Sequence, residues 1–202
     1  VDGITEQWLP RDAPTDKVRS LLSGLSGILF FERHTWHPEI LRIAREMGIA
    51  TVCIPMWEWF QGNATEWKYC DLFVCPSRFT EQIVHSYGFT NTCCLPWPLD
   101  LAKLPHRHVR GPARHFIHNA GLVDPDDRKG TRDTIDAFCR LKRSDIRLTV
   151  RMQKEVSLPQ ADERVQVVVS NLSSISELYS TGDICVQPSK MEGFGFMVLE
   201  PT

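Results

Sequence analysis

The chain has no apolar run approaching the roughly twenty residues that a membrane-spanning helix needs. It opens Val1-Asp2-Gly3-Ile4, without the basic start and apolar stretch of a secretion signal, so a soluble protein is expected. It has no surplus of positive charge either: 23 Lys and Arg against 25 Asp and Glu give a net charge of -2. A general basic footprint for nucleic acid is therefore missing. Its seven cysteines include no Cys-x-x-Cys pair. Most lie in apolar runs such as Thr51-Val52-Cys53-Ile54, where a thiol behaves as a small buried hydrophobe, and the expectation is a reducing, cytoplasmic compartment. The histidines are scattered, and His106-Arg107-His108 has no carboxylate or further imidazole nearby to complete a metal site. That stretch reads as a solvated linker, and no metal site is assigned. What is present is an ordinary globular composition, 42% hydrophobic and 24% charged over 202 residues, enough for one domain or two small ones.

The first half alternates short apolar runs with amphipathic ones. Residues 1 to 27 are rich in Pro, Asp, Ser and Gly, with one apolar cluster at Val18, Leu21 and Leu22, which predicts a single helix. Ile28 to Phe31 reads as a buried strand. Pro38 to Gly48 carries apolar residues at 40, 43, 44 and 47, a proline near its start and a glycine at its end, the pattern of a helix. Ala50 to Ile54 and Leu72 to Cys75 are further strands, Ser77 caps a helix that Gly88 stops, and Thr92 to Leu95 is a fourth strand. Strands without polar alternation, separated by helices, argue for a parallel sheet covered on both faces, hence an α/β fold.

Composition shifts at Pro96-Trp97-Pro98, and through Pro112 the chain is rich in proline, arginine and histidine, as an interdomain linker is. A second α/β series follows. Strands are expected at Phe116–Asn119, Ile146–Met152, Val165–Val169 and Asp183–Val186, with helices at Thr131–Leu141 and after the Ser174-Ile175-Ser176-Glu177 capping box. The expected domains are 1–105 and 106–202.

Pro188 to Thr202 then combines a Pro-Ser break, a glycine-containing turn and what reads as the opening of a helix. The first N–H groups of such a helix lack intrahelical partners, and the aligned peptide dipoles favour an anion there. Gly193 and Gly195 permit close approach of backbone to phosphate. Glu192 and Glu200 bracket the turn with seven residues between them. Two glutamates so placed also simply suit a helix dipole, and a lone Lys-Gly before a helix is ordinarily a solvated boundary. The ordered combination of these features is what favours a nucleotide site.

Taken in order, Asn119-Ala120-Gly121-Leu122, Arg128-Lys129-Gly130, Ile135-Asp136-Ala137-Phe138, Leu178 to Asp183 and Pro188-Ser189-x-x-Glu192-Gly193-Phe194-Gly195 resemble the retaining nucleotide-sugar glycosyltransferases of GT-B fold. More narrowly, they resemble the family-four group (glycosyl transferases group 1) that includes sucrose synthases and mannosyltransferases. Cys70 to Ser77 and Leu95-Pro96-x-Pro98-Leu99-Asp100 are similar, more weakly, to the end of that group's first domain; the resemblance spans about residues 45 to 202.

The resemblance implies two Rossmann-like domains with parallel sheets flanked by helices, shortened at both ends. Residues 1–105 would be the acceptor side and 106–202 the nucleotide-sugar side. It implies sugar transfer from a UDP- or GDP-linked donor with retention, by attack on the face the leaving group vacates, with no metal or other cofactor. No paired acid and nucleophile of the hydrolase kind is then required. Lys129 and Glu192 are the catalytic candidates: Lys129 neutralises the diphosphate as a point charge, and Glu192 holds donor sugar hydroxyls. Glu200 accepts two ribose hydroxyl hydrogen bonds, and Gly121, Lys129, Gly193, Phe194, Gly195 and Phe196 complete the donor-binding set. The partners implied are that donor and a glycan, lipid or small-molecule acceptor, with peripheral membrane contact and self-association left open.

Three departures support an alternative, a shortened or degenerate relative that binds a nucleotide or protein partner without catalysis. Leu122 stands where the group has a second diphosphate-clamping Arg, and Arg128 or Arg132 would replace it only after a loop shift. The stretch Ile54-Pro55-Met56-Trp57-Glu58-Trp59-Phe60 has no catalytic-loop His, and no glycine-rich opening is visible. The last helix is only begun at Glu200. The aromatic stretch of Trp57, Trp59, Phe60 and Trp67 reads equally as a stacking wall or as core. His34, Trp36 and His37 follow the first strand, at a carboxyl end where α/β folds place ligands, and a base role for a histidine there is an expectation to test.

Overall fold

The computed structural model describes residues 8–32, 37–100, 102, 104, 109–123, 125–158, 163–171, 174, 176–192, 194 and 195. The chain divides into two compact units, Val1–Trp97 and Pro98–Thr202, within the proline-rich stretch.

The first unit runs α1 (Thr15–Leu22), β1 (Gly27–Glu32), α2 (Ile40–Glu46), β2 (Ala50–Pro55), a 3-10 turn at Thr65–Tyr69, β3 (Leu72–Cys75), α3 (Arg78–Ser86) and β4 (Thr92–Cys94). All its strands are parallel, in the order β1-β2-β3-β4. The local signals act as expected. Ile40, Leu41, Ile43 and Ala44 of α2 are buried, and Gly48, at φ +70°, takes the left-handed conformation that ends the helix. Ser77 Oγ accepts the Thr80 N–H at 3.1 Å and so caps α3.

Phe30, Cys53, Phe73 and Cys75 are buried with Val18, Leu22, Ile43 and Val84 in one core. On the other face of edge strand β1, Leu29 and Phe31 remain 60% and 56% exposed, and Phe31 stacks on Trp97. The expected cover on both faces is therefore met, at this strand, on one face only among the described residues.

The aromatic stretch divides. Phe60 and Trp67 are core, packed on Phe73 with ring centroids 5.8 and 5.4 Å away, and the Trp67 indole donates to the Gln61 carbonyl at 3.0 Å. That anchor fixes the 3-10 turn, which the periodicity did not announce. Trp59 alone is largely exposed. His37 is buried, its Nε2 facing the Ala13 carbonyl at 3.1 Å and its Nδ1 accepting the Glu39 N–H at 3.3 Å. With both ring nitrogens bonded to backbone, His37 is a structural tie rather than a base. His34, Trp36, His106 and His108 lie outside the described residues.

The second unit runs β5 (His115–Gly121), α4 (Thr131–Cys139), β6 (Arg147–Met152), β7 (Val165–Val169), α5 (Ser176–Tyr179) and β8 (Ile184–Cys185). Its strands are also parallel, in the order β7-β6-β5-β8. Ala120, Leu148, Val150 and Met152 form a second core with Ile135 and Phe138 of α4. Next to β5 on the other side, a Cβ on Gly182 would fall 2.6 Å from Ile117, so the turn into β8 approaches as closely as only glycine allows. No helix among the described residues is long and apolar enough to cross a membrane.

Candidate functional site

The second sheet has a reversal of strand order. From β5 the chain steps to β6 and then β7 in one direction, and β8 returns to the opposite side of β5. The connections leaving the carboxyl ends of β5 and β8 therefore diverge, and a crevice opens between them, the place where open α/β sheets take ligands. In the first sheet the described strands follow one another without such a reversal.

The loop after β5 and the turn after β8 are strapped together across this crevice. The Lys190 N–H donates to the Arg128 carbonyl at 2.8 Å, Arg128 Nη1 donates to the Met191 carbonyl at 2.9 Å, and Lys190 Nζ donates to the Asp126 carbonyl at 3.2 Å. Gly130, at φ +69°, lies directly under Pro188; a Cβ there would sit 2.8 Å from the Pro188 carbonyl oxygen. Both the conformation and the contact require glycine.

Two buried polar groups hold the loop from below. Asp127, at φ +48°, turns its carboxylate back onto α4, accepting the Thr131 N–H at 2.8 Å and the Arg132 N–H at 2.9 Å. The first amides of α4 are thus satisfied internally. His118 Nδ1 lies 2.8 Å from the Val186 carbonyl and Nε2 lies 3.0 Å from Thr131 Oγ1. A carbonyl only accepts, so Nδ1 carries the hydrogen and Nε2 accepts from the threonine hydroxyl. Burial pushes the His118 pKa down, against the opposing pull of the Val186 carbonyl and Asp127.

Lys129 and Glu192, 63 positions apart in the chain, meet here: Lys129 Nζ stands 2.5 Å from Glu192 Oε1, and Arg128 Nη1 stands 3.6 Å from the other carboxylate oxygen. Lys129 is 15% and Glu192 22% exposed at the side chain, so the pair is largely desolvated. Burial works to raise the Glu192 carboxyl. The hydrogen bond from Lys129 and the charges of Lys129 and Arg128 outweigh it and hold the group below its ordinary value. Glu192 is an anion, hence an acceptor only.

Beside this pair lies a pocket of about 310 Å³ whose lining runs from Asn119, Gly121 and Lys129 past Arg151 to Asn171 and Leu178. Two of its lining side chains carry unmet polar atoms: Asn119 is 3% exposed with neither Oδ1 nor Nδ2 bonded, and Arg151 Nε is buried without a partner. Outside the lining, Gln187 donates Nε2 to the Asn119 backbone carbonyl while its buried Oε1 is unmet. Each unmet buried group costs on the order of 1–3 kcal/mol. The β5–β6 register shifts between Asn119 and Gly121, and Gly121 turns at φ +60°. Such a bulge re-aims a strand end beside a site.

Of the residues expected at the site, Gly121, Lys129 and Glu192 come together here. Gly195 takes φ +79°, its Cβ position 3.8 Å from Glu192 Cβ, and Phe194 is half-buried. Gly193, Phe196 and Glu200 lie outside the described residues. Leu122 is 58% exposed. Asp127, His118, Asn119 and Arg151 were not singled out as site residues by the sequence. An Asp three residues ahead of a Gly-opened helix was the one available signal, for Asp127. Among the described residues no three His, Cys, Asp or Glu side chains converge as metal ligands.

No protein-family profile matches the chain, and no curated protein matches it. Solved structures do. The lipopolysaccharide outer core galactosyltransferase WaaB, in its apo form, superposes with a TM-score of 0.63 at 13% identity over 92% of this chain and 57% of that one. A UDP-N-acetylglucosamine 2-epimerase structure from Listeria monocytogenes and S. aureus MnaA with UDP each give a TM-score of 0.45, at 9% and 10% identity, over 80% and 78% of this chain. The chain spans little more than half the length of these proteins. The likeness to the galactosyltransferase shows the fold: paired parallel α/β units of GT-B type.

Proposed function

We propose that this chain binds a nucleoside-diphosphate sugar at the carboxyl edge of its second sheet and transfers the sugar, with retention, to a glycan, lipid or small-molecule acceptor. The observation that carries the reading is the desolvated Lys129–Glu192 pair, which stands where the strand order reverses, with a pocket beside it over the carboxyl ends of β5, β6 and β7. The fold shared with a galactosyltransferase fits it, as does the resemblance to the family-four group.

In this reading the bond from sugar C1 to the diphosphate oxygen breaks, the diphosphate leaves with the electron pair, the acceptor oxygen bonds C1 on the same face, and the acceptor hydroxyl's proton passes to the departing diphosphate oxygen. Lys129 exchanges its contact with Glu192 for the diphosphate and neutralises the charge that grows there, so no resident metal is called for. Glu192, ionised and released from Lys129, accepts hydrogen bonds from the sugar hydroxyls. Glu200 takes the ribose. Residues 1–105 present the acceptor, and the enzyme works in the cytoplasm.

One observation favours a second reading, nucleotide binding without turnover. Leu122 occupies the position of a second clamping arginine and is exposed, while Arg128 is engaged by the Met191 carbonyl and Glu192. Calorimetric titration with UDP and GDP, followed by an assay of donor hydrolysis, tests both. Binding of one diphosphate with release of free sugar is expected, and Lys129→Ala is expected to weaken that binding about 10- to 100-fold, as loss of a charge-assisted contact does. Binding by neither nucleotide sinks the site; binding without turnover selects the second reading.

A further inference from the structure

The pocket carries, side by side, two side chains with unmet hydrogen-bonding atoms. Asn119 and Arg151 face each other across the β5–β6 ladder. They share a face of the sheet: His115, four residues before Asn119, and Thr149, two before Arg151, are each an even step away, and His115 Nε2 meets Thr149 Oγ1 at 2.8 Å. Both line the pocket, Asn119 with its amide wholly unbonded and Arg151 with a free Nε while its Nη2 reaches Thr181 Oγ1 at 3.3 Å.

A carboxamide presents one acceptor beside one donor, so it takes an edge that sets a donor beside an acceptor, either N–H next to C=O or NH₂ next to a ring nitrogen. A guanidinium only donates, so a second acceptor must follow on the arginine side. The edge required is that of a pyrimidine: C=O, N–H, C=O in uracil and thymine, or NH₂, N, C=O in cytosine. Guanine offers C=O, N–H, NH₂ and would set an amino donor against the guanidinium. Adenine pairs with the amide through NH₂ and N1 but sets a C–H against the guanidinium. None of the described residues lining the pocket is a carboxylate that would take the two adjacent donors of guanine.

We propose, resting on the nucleotide reading above, that Asn119 and Arg151 read the pairing edge of a pyrimidine and select a pyrimidine-linked donor, a uracil- or thymine-linked one among them, over a purine-linked one. Lys129 holds the phosphates whatever the base, and Asn119 with Arg151 decides between bases.

Calorimetric titration of the purified chain with UDP, dTDP, GDP and ADP tests this. UDP and dTDP are expected to bind at least about tenfold more tightly than GDP and ADP, because a wrong base leaves the buried groups unpaired. Asn119→Leu and Arg151→Met, read separately, are each expected to narrow the UDP-to-GDP ratio while phosphate-driven binding persists. GDP bound as tightly as UDP by the unaltered chain overturns the assignment even if the buried Asn119 variant does not fold. A ratio unchanged in a folded Arg151→Met overturns it too. Binding by none of the four nucleotides is the failure of the nucleotide site itself, and is told apart from both.

Discussion

His118 shows how much a single side chain contributes to this site. It bridges the Val186 carbonyl and the Thr131 hydroxyl, and burial favours the neutral ring there, since a protonated ring would place a charge in the interior. Its folded pKa lies below the ordinary 6.5. Below that pH the unfolded chain therefore binds more protons than the folded one. The stability His118 supports is complete above about pH 6.5 and is lost as the pH falls through the lowered folded value. Thermal melting of the chain between pH 7 and pH 5 is expected to show a falling midpoint, and His118→Gln is expected to flatten that slope. A slope unchanged in the variant would place the pH dependence elsewhere.

At the scale of elements, both sheets are tied by an aspartate standing immediately before a strand. Asp71 precedes β3 and takes the Thr51 N–H at 2.8 Å and the Thr51 hydroxyl at 2.9 Å. Asp183 precedes β8 and takes the N–H groups of Arg114 and His115, both at 2.9 Å. Each locks its strand to the start of a neighbour that is distant in sequence. Asp127 does the corresponding work for a helix, and the Lys129 loop hangs from it. Asp127→Ala leaves two amides of α4 without their acceptor and is expected to lower stability by about 1–2 kcal/mol. Urea denaturation measures this, and a change below a few tenths would show that water replaces the carboxylate at no cost.

In the whole molecule, the two units keep separate cores, one around Ile43 and Phe73 and one around Leu148 and Val150. A cavity made in one should be felt there. Leu148→Ala, at a residue 1% exposed, is expected to cost about 2–5 kcal/mol. Its effect on hydrogen exchange should fall on β5, β6 and β7, with β2 and β3 protected as before; Ile43→Ala should give the converse. Equal loss of protection in both units after either change would show that they unfold as one.

The sequence by itself determined the elements and their sequential order. Apolar runs gave the strands to within a residue or two, and Ser77, Gly48 and Gly88 marked helix ends, because capping and φ > 0 are properties of a few adjacent residues. Lys129 and Glu192 could be picked out as members of ordered motifs. Their contact could not, and neither could the order β7-β6-β5-β8 that creates the crevice, since strand order depends on packing between segments far apart in the chain. Only the tertiary structure put Asn119 opposite Arg151 in the lining of a pocket, with the Asn119 amide and the Arg151 Nε unmet. A strand pattern says that residues alternate between two faces. Which face will meet a ligand is decided when the sheet, its bulge at Gly121 and the turn at Pro188 have come together.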